Sequence, residues 1–161
     1  MDRLLALYRK LSQSGTKFYM WDLDDDKAVT LEVGGTYGIF MDFDNIPSSR
    51  DEAAVVAHEG GHASTGATHK VCSPFDLVEK HEYKAWKWAV QNYISEDDLD
   101  EAVADGYTDI YSLAEHFGVP EDFMRKAVCW YTHGNLAAEL YFWCQEIVLE
   151  ITALPKNFRI Y

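Results

Sequence analysis

The sequence predicts an α+β fold: a small, three-stranded, mainly antiparallel sheet packed with several helices. Three observations carry this prediction. Residues 17–43 hold three short runs rich in β-branched and aromatic side chains, two of them joined by Gly34-Gly35. From residue 49 onward the apolar spacing turns helical, with start and stop signals at regular intervals. One of those helices, residues 49–65, has an apolar body of Ala53, Ala54, Val55, Val56 and Ala57, as a buried helix would.

In order, residues 2–12 place Leu4, Leu5, Tyr8 and Leu11 on one helical face, ended by Ser14-Gly15. Strands are expected at residues 17–23, Ala28–Val33 and residues 36–43. Gly34-Gly35 is a two-residue hairpin signal. In the second strand Val29, Leu31 and Val33 share one face, with Thr30 and Glu32 on the other. Asp24, Asp25 and Asp26 read as a turn. With Asp42 and Asp44 they bring calcium to mind, but the run lacks the Gly and distal Glu of a calcium loop. Ser49 and Glu52 form a capping box for the next helix, and Gly66 is its stop. A loop runs from there to about residue 74. A helix over about 75–94 follows, then one from Ser95 to Gly106, one capped by Thr108 and running to Phe117, one from Pro120 to about His133, and one over about 136–150. Gly118-Val119-Pro120 between two short helices resembles a helix-turn-helix. Its second helix opens on Glu121 and Asp122 and offers only Arg125 and Lys126, which suits packing better than reading bases.

Composition narrows the function. A chain of 161 residues with 48% hydrophobic content suits one globular domain, expected to span 1–161 with its core at about 18–135. The tail, 143–161, has no readable role. The net charge of −13 disfavours nucleic acid and anionic lipid, and would suit a partly basic protein partner. No stretch reaches the roughly 18 apolar residues of a membrane span, and the start does not read as a secretory signal. Cys72, Cys129 and Cys144 are scattered, without a C-x-x-C, as reduced thiols of a cytoplasmic protein are. Oligomeric state is not legible.

The chemistry concentrates at His58-Glu59-Gly60-Gly61-His62. On a helix, positions four apart share a face, with Cβ atoms about 5–6 Å apart. Two imidazoles so placed can bind one Zn²⁺, at about 2.0–2.1 Å each. Glu59, turned about 100° around the helix, can sit beside water at the metal and serve as general base. A third ligand is needed. Glu82, twenty residues past His62, leaves room for a loop and a second helix. Ala85 and Ala89, one and two turns beyond it, would let the two helices approach closely. His81, His69 and Cys72 are rival ligands, and a solvated Glu82 is the plain structural alternative.

The pattern His58-Glu59-x-x-His62 followed by Glu82-x-x-Ala85-x-x-Trp88-Ala89 resembles the ImmA/IrrE family of metallo-endopeptidases, over roughly residues 18–135. The resemblance implies a zincin-like minimal core with Glu82 as the third zinc ligand. It departs at Trp86, where many members have Asn, and in the tail after about residue 142. It implies hydrolysis of peptide bonds in a specific intracellular protein, such as a helix-turn-helix repressor of a mobile element, phage or stress response. An extended peptide could pair with an edge strand beside the motif helix. The strand at 36–43 is favoured, with Tyr37, Ile39, Phe40 and Tyr83 as substrate contacts. His69, Tyr83 and His133 are candidate oxyanion partners. The alternative is a non-catalytic binder or toxin–antitoxin component that keeps the fold; an intact Glu59 argues for catalysis. A zinc hydrolase of small amides is a third possibility.

Overall fold

A computed structural model of the protein describes residues 2–67 and 78–136. Among them the fold is α+β, with six helices and one three-stranded mixed sheet. Two compact units divide the chain, Met1–Tyr93 and Ile94–Tyr161. No helix among the described residues is long and apolar enough to cross a membrane.

In the first unit, α1 (Arg3–Gln13) begins at Asp2, whose carboxylate accepts from the Leu4 and Leu5 amides. The stripe it turns inward is Leu4, Leu7, Tyr8 and Leu11, spaced i, i+3, i+4, i+7. Leu7 and Leu11 are buried and Leu5 is exposed, which corrects the expected face. Tyr8 donates to Glu52 at 2.7 Å, tying this helix to the one that carries the two histidines.

The strands are β1 (Lys17–Met20), β2 (Ala28–Val33) and β3 (Thr36–Met41), in the order β1-β3-β2. The β2–β3 hairpin turns through Gly34 and Gly35, both at positive φ, as a two-residue turn requires. β1 pairs with the far side of β3 in parallel, so the sheet is mixed rather than mainly antiparallel. The first and third strands end earlier than expected. Residues 43–45 close into a single 3₁₀ turn, around which Asp42 accepts from the Leu23 and Asp44 amides and from Asn45 Nδ2. That turn carboxylate therefore serves the loop.

α2 (Ser49–Thr65) crosses one face of the sheet. Its cap is Ser48, one residue before the expected box, and accepts from the Asp51 amide. Gly66, at φ 64°, ends it. α3 (Val78–Tyr93) packs along α2 through Ala85 and Ala89, both fully buried. Two glycines of α2 make its contacts possible. A Cβ on Gly60 would meet Leu11 Cδ1 of α1 at 2.7 Å. One on Gly61 would meet Ala85 Cα of α3 at 2.8 Å and run into the Ala85 carbonyl oxygen.

The second unit holds α4 (Glu96–Ala104), α5 (Ile110–Phe117) and α6 (Glu121–His133). Its core includes Leu99, Leu113, Phe117, Val119, Phe123, Met124 and Val128. α5 is capped by Asp109, not Thr108, in a reciprocal box with Ser112. Arg125 is tied to Glu121 and Asp122 of its own helix, at 2.8 and 3.0 Å. The helix expected at 136–150, the tail, Cys72 and Cys144 lie outside the described residues, apart from Leu136 itself.

Burial raises the phenols of Tyr93 and Tyr131 to about 12, and Tyr8 is also pushed up, by burial and then by Glu52. All three lie above the unfolded value of about 10. Their contribution to stability is therefore whole below about pH 10 and is lost as pH rises toward about 12. An ultraviolet titration of the folded protein should show part of its phenolate absorbance lagging above about pH 11. The thermal midpoint should fall steadily from about pH 10 upward. A single tyrosine transition near pH 10, with an unchanged midpoint, would contradict this packing.

Candidate metal centre

α2 presents His58 and His62 from its last turns toward α3, and Glu82 of α3 faces both. His58 Nε2 and His62 Nε2 are 3.1 Å apart. Glu82 Oε2 is 3.2 Å from His58 Nε2, and Oε1 is 3.4 Å from His62 Nε2. These three residues form the one group of metal-ligating type among the described residues, with donor atoms within 4.8 Å of one another. The group could hold a metal ion.

The donor set fits zinc in kind and in spacing. Donors about 2.0–2.1 Å from a tetrahedral ion sit about 3.3–3.4 Å apart, close to the three separations above. Two imidazole nitrogens and one carboxylate suit a borderline ion better than calcium, which takes six to eight oxygens at longer range. His62 is also held in orientation. Its Nδ1 lies 2.7 Å from the Ala67 carbonyl, which can only accept, so Nδ1 carries a proton and Nε2 is the nitrogen turned toward His58 and Glu82. On the other imidazole the Trp86 ring packs against His58, with centroids 4.3 Å apart. Trp86 thus forms a wall against one of the two imidazoles.

Glu59 is buried beside these groups, 8% exposed. Burial pushes its carboxyl above the usual range. The Thr30 hydrogen bond and the His62 charge oppose that push, and the Glu82 charge adds to it. Thr30 Oγ1 donates to Glu59 Oε2 at 2.6 Å and lies 3.0 Å from the Glu59 main-chain oxygen. A cation at the three-residue corner would help to hold Glu59 ionised, which is the form a base needs.

His58, Glu59, His62 and Glu82 thus come together as expected. His81 lies on α3 but outside the group, His69 and Cys72 fall outside the described residues, and His133 belongs to the second unit. The expected peptide-pairing strand needs correction. β3 is the inner strand, with β1 on one side and β2 on the other, so its backbone has no free edge. Ile39 is fully buried under α2, beside Thr30 in the sheet. Phe40 faces the opposite side, stacked on Tyr19 at 4.8 Å, away from the histidines. Tyr37 is half-buried near Gly66, and Tyr83 is 38% exposed. Sequence reasoning missed Thr30, the Ala67 carbonyl and the Trp86 stack. Thr30 had a faint signal, a β-branched hydroxyl alternating with aliphatic neighbours.

No family model, curated protein or solved structure matches this chain.

Proposed function

We propose that the protein is a metallopeptidase with a zincin-like core. More narrowly, we propose a zinc-dependent endopeptidase of the ImmA/IrrE kind that cuts a specific protein in the cytoplasm. The observation that carries this reading is the convergence of His58 Nε2, His62 Nε2 and the Glu82 carboxylate at separations of 3.1–3.4 Å, with the buried Glu59 carboxylate alongside.

Zinc, when bound by His58, His62 and Glu82, supplies Lewis acidity that polarises a carbonyl and makes water more acidic. The remaining work belongs to the chain. Glu59 accepts the proton of the attacking water and returns it to the leaving amine. The strand able to receive a peptide is β2, an edge strand whose Thr30 touches Glu59. Lys27 accepts from the Asp42 amide, so by antiparallel alternation Ala28, Thr30 and Glu32 turn their N–H and C=O groups outward. An extended segment could pair there. The net charge of −13 favours a substrate with basic surface. By resemblance, a helix-turn-helix repressor of a mobile element or stress response is the expected class.

Glu59→Gln tests the reading. It keeps the shape and the three ligands but removes the base. Zinc content and partner binding are expected to stay within about twofold of wild type, while cleavage of the cellular target falls about 10²–10⁴-fold. A Glu59→Gln chain with undiminished cellular output would favour the non-catalytic binder instead.

A further inference from the structure

The second strand is built against the usual pattern. Val29, Leu31 and Val33 form its aliphatic face, yet Leu31 and Val33 are 46% and 66% exposed, and Thr30 on the polar face is buried. A strand ordinarily turns its aliphatic side to the core. Here the side facing α2 carries a buried hydroxyl. Departures of this kind concentrate where a site needs a specific group.

The hydroxyl has one proton, and its two neighbours are unequal. Glu59 Oε2 lies at 2.6 Å and the Glu59 main-chain oxygen at 3.0 Å. The shorter separation is that of an O–H donor on a carboxylate, so the proton lies toward Oε2. The Thr30 main-chain amide also bears on the Glu59 carboxyl, so hydroxyl and amide together hold the group from the β2 side. Thr30 is well placed to do this stiffly, because a β-branched side chain on a strand has few rotamers.

We infer that Thr30 is a positioning residue for Glu59: its hydroxyl anchors Oε2 and holds the carboxyl group beside His58, His62 and Glu82. This rests on the metallopeptidase reading above, with Glu59 as the group that takes a proton. Thr30 touches neither the metal nor the substrate through its side chain. It acts through Glu59.

The test needs no known substrate. The probe is acetohydroxamate, a small chelator whose acidic proton a carboxylate beside the metal takes up on binding. Wild type, Thr30→Val, Thr30→Ser, Glu59→Gln and the Thr30→Val/Glu59→Gln double variant are loaded with zinc. Metal content and acetohydroxamate affinity are then measured by elemental analysis and calorimetry. All five are expected to take up zinc alike. Thr30→Val should weaken acetohydroxamate about tenfold, the worth of one hydrogen bond to a charged group. Thr30→Ser should restore most of that loss. In the Glu59→Gln background, Thr30→Val should cost nothing further.

Wild-type affinity in Thr30→Val would overturn the inference, since the hydroxyl would then only fill space. So would an equal loss in both backgrounds, or a loss of zinc in Thr30→Val, both of which mark a structural role. If wild type takes up no zinc, or Glu59→Gln binds the probe as wild type does, the metallopeptidase reading fails and this inference falls with it.

Discussion

A His62→Ala chain is expected to emerge from zinc loading and dialysis with about a tenth or less of the wild-type metal. His62 is the most enclosed of the three proposed ligands, and it is oriented from behind. Its Nδ1–H is held by the Ala67 carbonyl at 2.7 Å, and its Nε2 faces His58 and Glu82. Alanine removes one donor from a set of three and leaves the Ala67 carbonyl without that hydrogen bond. The second effect should cost about 1–3 kcal/mol even without metal. His81→Ala is the control, because His81 stands outside the ligand group and should leave zinc content near wild type. Elemental analysis of the purified chains decides both points. Stoichiometric zinc in His62→Ala, or its loss in His81→Ala, would mean the ion sits elsewhere.

Gly61→Ala should be the most damaging small substitution on the motif helix. Gly to Ala on an exposed helix normally gains about 1 kcal/mol. Here the new methyl would fall on the backbone of Ala85, with its Cα and carbonyl carbon each 2.8 Å away. Backbone cannot rotate aside as a side chain can, so α3 must move off α2. Overpacking of this kind costs about 1–3 kcal/mol or more, and it also carries Glu82 away from the imidazoles. The expected result is a lower thermal midpoint together with zinc affinity reduced about 10–100-fold, as when the support of a metal ligand is disturbed. Gly60→Ala should be milder. Its nearest clash is with Leu11 Cδ1 at 2.7 Å, the end of a side chain that can turn. Thermal unfolding with and without zinc would rank the two. A Gly61→Ala chain at least as stable as wild type, with undiminished zinc affinity, would contradict the close α2–α3 approach.

The contrast between legible and hidden features runs through particular residues. The spacing of His58 and His62 needs only a helix to put both on one face, and residues 49–65 carry helix signals at both ends. Glu82 was reachable because twenty residues past His62 leave room to return to α2, and because the small Ala85 and Ala89, one and two turns beyond it, permit a close approach. Burial of Ala85 and Ala89 bears that out. The order of the strands was not legible. A hairpin signal joins β2 to β3 but does not say which side of β3 receives β1. That choice made β3 the inner strand and left the edge by the histidines to β2, which removed Ile39 and Phe40 from the expected peptide contacts. The same limit hid Thr30. Alternation separates the two faces of a strand, but only the element packed against it decides which face is inside. In α1 the helical spacing put Leu5 on the expected inner face, and packing of the helix against α2 and α3 buried Leu7 instead.

By itself, the order of residues determined where the helices and strands would form and which three side chains could share an ion. Those properties follow from local periodicity and from spacing along one or two rods. Which edge stays open, which face of β2 meets α2, and that a threonine hydroxyl grips Glu59 were decided only by tertiary packing. Such choices depend on contacts between segments far apart in the chain, and no local pattern encodes them.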